Sequence, residues 1–224
     1  MFVLRSIRKL AVSLAMFAVV ALGSAMTTQA DPVNFTLTGP DFSGSGNAVA
    51  GSITVLIANS GANTVTFTIT NNTDGFVGAL YLNNTGAPLA ATGFACVNCT
   101  AIGGNLAITF GSDAFKADGD GLFDILIDFP TAGADRLNPG ESITFTMTAT
   151  GLTSDSFLTF SCSVCPGAGG NGPFRIAAHV QGTASSGGGS VWISEGEVPE
   201  PASLLLLGSG LVGLATGLRK RFSK

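Results

Sequence analysis

Residues 64–70 read TVTFTIT, and residues 142–150 read SITFTMTAT. In the first stretch Val65, Phe67 and Ile69 fall on one side of an extended chain, with Thr64, Thr66, Thr68 and Thr70 on the other. In the second, Ile143, Phe145, Met147 and Ala149 stand opposite four threonines. Successive side chains of a strand point to opposite faces, so this alternation predicts strands with one buried and one wet face. FDILIDF at 123–129 repeats the pattern, setting Phe123, Ile125, Ile127 and Phe129 against Asp124, Leu126 and Asp128. Further strands are expected at 33–38, 52–58, 77–82, 106–110, 157–162, 174–180 and 190–194, separated by turn-forming clusters such as NNTDG, NNTGAP and LNPGE. Between Asp31 and Ser194 no segment carries a helical period. About ten short strands predict an all-β fold, an antiparallel β-sandwich of jelly-roll or immunoglobulin-like character. A Thr-x-Thr array resembles ice-binding surfaces, but two such strands need no more than threonine's preference for a wet sheet face.

Charge is distributed unevenly along the 224 residues. From Asp31 to Glu200 all 14 acidic residues stand against three basic ones, Lys116, Arg136 and Arg175, a net charge of −11. The other seven cations lie at the two ends, so the whole-chain value of −4 hides the imbalance. A domain this acidic is expected to bind no nucleic acid, because phosphate contacts require a basic surface.

Both ends read as targeting segments. Ala202 to Leu218 is a run of 17 residues without a charge, followed by Arg219, Lys220, Arg221 and Lys224. As a helix it would reach roughly 25 Å, close to the lower limit for crossing a bilayer's hydrocarbon core. A buried core helix would carry a polar stripe, and this run has only Ser203, Ser209 and Thr216. The basic flank assigns 219–224 to the cytoplasm and the preceding chain to the outside. At the other end, Arg5, Arg8 and Lys9 precede the apolar stretch Leu10–Leu22, and Thr28-Gln29-Ala30 supplies small residues where a signal peptidase reads. Cleavage between Ala30 and Asp31 would release the domain; retention as an N-terminal anchor is the alternative. The expected organisation is a signal peptide at 1–30, an exported β domain at 31–194, an extended spacer at 195–201, a transmembrane helix at 202–218 and a cytoplasmic tail at 219–224.

Pro199-Glu200-Pro201, then an apolar segment, then the terminal Arg/Lys cluster resembles the PEP-CTERM sorting signal of Gram-negative bacteria. The resemblance covers about the last 26 residues. The same type of tail has also been labelled after an ice-binding protein, a label that says nothing about what the exported domain binds. The resemblance implies recognition by exosortase, a membrane-embedded enzyme of transpeptidase type, in bacteria that make exopolysaccharide. The chemistry is consistent with that role: Pro fixes its own φ and disfavours helix in the residue before it, so 198–201 should be extended and accessible beside a helix start.

Within the domain, FACVNC and FSCSVC place Cys96, Cys99, Cys162 and Cys165 in two matching units. An exported chain meets an oxidising compartment, which favours disulfides of open connectivity over a tetrahedral metal or a redox-active pair. DGDG at 118–121 makes Asp118, Asp120 and Asp124 calcium candidates, although the spacing and closing Glu of an EF-hand are missing. No cofactor is expected. His179 is the sole histidine and no nucleophile elbow or phosphate loop accompanies it, so a non-enzyme is expected. Three functions follow: a cell-surface or extracellular-matrix protein associated with exopolysaccharide, a carbohydrate-binding module using Trp192 or Tyr81, or a secreted hydrolase using His179.

Overall fold

A computed structural model describes residues 31–38, 41–85, 90–97, 106–118, 120–162, 164–169 and 172–195. The chain divides into two units, Met1–Ala30 and Asp31–Lys224, and the described residues all belong to the second. The expected signal peptide, the apolar run, the basic tail and the expected spacer from residue 196 onward lie outside the described residues, while Glu195, expected to open that spacer, closes the last strand of the sheet. Among the described residues no helix is long and apolar enough to cross a membrane.

Ten strands form: β1 (Val33–Thr38), β2 (Ile53–Gly61), β3 (Thr64–Asn71), β4 (Phe76–Leu82), β5 (Ala90–Val97), β6 (Ala107–Ala117), β7 (Asp120–Asp128), β8 (Ser142–Thr148), β9 (Ile176–Thr183) and β10 (Gly189–Glu195). They make one antiparallel sheet in the order β5-β8-β3-β2-β1-β10-β9-β4-β7-β6. A sandwich has two separate sheets; here the halves stay hydrogen-bonded through β1 and β10, by the two pairs Leu37↔Glu195 and Thr38↔Ser194. The sheet curls about that short seam, and apolar residues from both halves share one core.

The opening stretch of sequence explains why. β3 and β8 pair with Phe67 opposite Phe145, Val65 opposite Met147 and Ile69 opposite Ile143, all fully buried. The Phe67 and Phe145 rings stack at 5.2 Å, and Phe157 meets Phe67 edge-on at 5.0 Å. On the reverse face the same register sets Thr66 opposite Thr146 and Thr68 opposite Thr144. One rank runs across four strands as Thr36, Thr54, Thr70 and Ser142.

Two segments depart from expectation. Residues 157–162 form no strand, because a short 3-10 turn at Ser154–Phe157, closed by reciprocal bonds between Thr153 and Ser156, turns the chain away. β5 escaped the alternation count because its alanines and Gly93 carry little pattern and its register slips between Thr92 and Ala95. Phe123 also leaves the common core. It packs against Tyr81 at 5.7 Å in a second cluster on the outer face, where the segment after Phe160 covers the sheet through Cys162 N–H bonding to Leu122 C=O.

The NNTDG turn is held by one buried amide. Asn71 donates to Gly75 C=O (2.8 Å) and Leu137 C=O (2.9 Å) and accepts from Thr73 N–H (2.9 Å) and Thr73 Oγ1 (2.6 Å). Beside it Gly51 sits at φ +86°, and a Cβ there would collide with the Asn72 carbonyl oxygen. Asn71→Ala strands several buried polar groups, each costing about 1–3 kcal/mol, so urea unfolding should show a loss of at least about 3 kcal/mol. Thr66→Ser, on the outer face, should change stability by less than about 0.5 kcal/mol in the same measurement.

Candidate functional site

The three side chains singled out for binding or catalysis are neighbours. Trp192 on β10 pairs with His179 on β9, which pairs with Ala79 on β4; Tyr81 follows two residues later on β4. The Trp192 ring stacks on His179 at 4.3 Å and 10°, and lies 5.6 Å from Tyr81 and 6.3 Å from Phe42. Phe42 in turn packs on Phe174 at 4.6 Å. Small residues, Ala79 and Ala177, floor the cluster. His179 Nδ1 lies 3.1 Å from Gln181 Nε2, and the Gln181 amide packs closely over Gly78.

Burial pulls the His179 pKa below its ordinary value, against an opposing pull from the Asp118 carboxylate, and so favours the neutral imidazole. Burial raises the Tyr81 hydroxyl, and the Asp128 charge adds to the effect. The arrangement is an aromatic cluster whose rings stand against one another. Trp192 is half-buried, with His179 stacked on its ring and Tyr81 and Phe42 tilted against it.

Several carboxylates of the domain are engaged differently, holding backbone amides. Asp124 accepts from Asn84 N–H (3.1 Å) and Asp113 N–H (2.9 Å), tying down the β6 bulge that interrupts pairing between Phe110 and Phe115. Glu195 accepts from Arg175 N–H (2.8 Å) and Ile176 N–H (2.9 Å) at the start of β9; burial raises its pKa and these bonds oppose the rise. Asp74 accepts from Ala50 N–H (3.0 Å) and Ser185 N–H (2.7 Å). Of the calcium candidates, Asp118 sits at φ +50° where β6 reverses into β7, Asp124 is the bulge cap just described, and the Asp120 side chain lies outside the described residues.

Cys162 and Cys165 form a disulfide with a Cα–Cα distance of 5.6 Å. The bridge leaves Cys96 and Cys99 only each other as intramolecular partners, which removes the long-range connectivities. Cys99 and the Cys96 side chain lie outside the described residues. Asp113 approaches both bridged sulfurs, the one grouping of potential metal ligands among the described residues, but sulfurs joined to each other offer no thiolate. Asp31, the expected first residue of the released domain, is anchored where its C=O accepts from Ser154 Oγ (2.9 Å).

Sequence reasoning missed the Asp41 clamp. Asp41 Oδ1 accepts from Trp192 N–H (2.9 Å) and Ser43 N–H (3.1 Å), and Oδ2 from Ser45 N–H (2.9 Å). Phe42 N–H returns a bond to Trp192 C=O at 3.0 Å, so the 41–47 loop is sewn to β10. The signal was present as Asp41-Phe-Ser43-Gly-Ser45, an Asx-type turn sequence. Burial alone would raise the Asp41 pKa, but the bonds from Ser45, Trp192 and Ser43 outweigh it and bring the pKa from 3.8 to about 2. A depressed carboxylate stabilises fully above its unfolded pKa and ceases to do so as pH falls through the folded one. Trp192 fluorescence should therefore report loosening of the clamp as pH drops from about 4 to about 2. Asp41→Ala should show the acid-state emission already at neutral pH.

The PEP-CTERM protein-sorting motif family matches residues 197–221. That span includes Pro199, Glu200 and Pro201 together with Arg219, Lys220 and Arg221; Lys224 falls just beyond it. Comparison with curated proteins and with solved structures returned no match. The motif is the signal that exosortase recognises, and its order of spacer, apolar run and basic cluster is the one read from the residues. The chain carries a PEP-CTERM sorting motif at 197–221, which implies an exported protein of the kind that exosortase sorts in Gram-negative bacteria.

Proposed function

We propose that the exported domain is a non-catalytic component of the cell surface or extracellular matrix, associating weakly and broadly with exopolysaccharide. The observation that carries the reading is how its polar groups are used. Asp41, Asp74, Asp124 and Glu195 each accept from two or more backbone amides and hold loops or strand ends in place. A general acid or base needs a free oxygen aimed at substrate. A triad histidine needs a carboxylate on one ring nitrogen and a hydroxyl on the other, whereas His179 Nδ1 faces the Gln181 amide. The cleft lined by Asn84, Thr150 and Ser156 has a volume of about 20 Å³, far below the roughly 300–1,000 Å³ of ordinary ligand sites.

A carbohydrate-binding module is the second reading, favoured by the meeting of Trp192 and Tyr81 on one face. Sugar stacking wants an open aromatic face, and Trp192 is flanked by His179, Phe42 and Tyr81. A secreted hydrolase has less support still.

The reading is tested by fractionation in an exosortase-positive host. Full-length protein should be found with the surface and matrix, while a chain lacking 199–224 should pass into the medium. Equal distribution of the two forms would count against the sorting account, and a matrix fraction free of the full-length protein would count against the matrix role.

A further inference from the structure

We infer that the threonine face of β2, β3 and β8 is the surface that contacts extracellular polymer, and that its partner is an uncharged, hydroxyl-rich polysaccharide chain. The inference rests on the matrix reading above and names the site that reading leaves open. Neutrality is its first support. The segment Asp31–Glu200 carries a net charge of −11, yet the outward positions of β2, β3 and β8 hold Thr, Ser, Leu and Ala and no charged side chain. An acidic polymer gains no cation there, and a neutral one meets no repulsion.

Preorganisation is the second support. The hydroxyls are fixed to one another across strands: Thr68 Oγ1 with Thr144 Oγ1 at 3.4 Å, Thr70 Oγ1 with Ser142 Oγ at 3.0 Å, and Thr92 Oγ1 with Thr146 Oγ1 at 3.1 Å. A hydroxyl has one donor and two acceptor sites, so each paired group keeps capacity for a ligand. These side chains are half-exposed, with Thr92 and Thr148 exposed outright. The repeat is about 4.8 Å between strands and about 6.8 Å along them, with methyls interleaved among hydroxyls. A sugar chain presents the same mixture of hydroxyls and C–H faces.

Twist selects among regular ligands. Neighbouring strands rotate by roughly 20–25°, so the array is not a plane and suits a flexible chain better than a crystal face such as ice. Each contact exchanges a water hydrogen bond for another and gains little, so retention grows with the number of contacts a long chain makes.

The test is affinity electrophoresis of the mature exported protein through gels containing dextran, mannan or hydroxyethyl cellulose as neutral probes and alginate as the acidic one. Retardation by at least one neutral polymer and none by alginate is expected. Thr66→Val/Thr68→Val/Thr144→Val/Thr146→Val removes hydroxyls and keeps β-branched shape, and should weaken retardation about tenfold. Thr66→Glu, which introduces a charge, should do the same if the face is the site. Trp192→Phe should run as wild type, and thermal melts verify that all variants fold. Retention unchanged in both folded threonine variants overturns the inference. Loss confined to Trp192→Phe also overturns it and moves the site to the aromatic cluster, leaving polymer association intact. No retardation by any neutral polymer overturns both the site and the matrix reading.

Discussion

A sheet with one apolar face must hide that face. β3 and β8 alternate so strictly that pairing them in register puts Phe67 on Phe145, with Val65, Ile69, Ile143 and Met147 beside them, on one side and threonines on the other. A slip of one residue would exchange the two sets, so the register is fixed by burial. No helix among the described residues covers the apolar side. The sheet covers itself by curling, and the narrow β1–β10 seam is where the two halves stay joined while their inner faces meet. Core, outer face and edges follow from that closure.

Four of the acidic residues are held by hydrogen bonds from backbone amides. Asp41, Asp74, Asp124 and Glu195 accept from amides where the chain leaves or enters a strand, and charge-assisted bonds of this kind are the stronger ones. The two arginines turn instead to rings, Arg136 lying 4.0 Å over Phe76 and Arg175 4.1 Å over Phe160. Loops tied by carboxylates to their own backbone make a shaped scaffold.

Much of this was legible in the sequence. Strict alternation located β1, β3 and β8 nearly to the residue, because period two is strong when every second residue is Thr or a large apolar group. It failed at β5, where Ala and Gly give no contrast, and at 157–162, where apolar residues sit in a segment turned by a 3-10 element. The continuity of the sheet was not legible, since two pairs between strands near opposite ends of the domain leave no periodic trace. Nor was the meeting of Trp192, His179 and Tyr81, which depends on β10 pairing with β9 and β9 with β4. The tail needed no fold at all. Its order of Pro-Glu-Pro, apolar run and basic cluster is a local code matched at 197–221.

The sorting motif and the curled sheet therefore occupy separate parts of the chain. The most direct measurement is a graft of residues 195–224 onto an unrelated secreted β domain with its own signal peptide, expressed with and without exosortase. The account predicts that the grafted domain reaches the surface fraction of the exosortase-positive host. A grafted domain distributed as its tail-less form, in a host that correctly sorts the native protein, would contradict it.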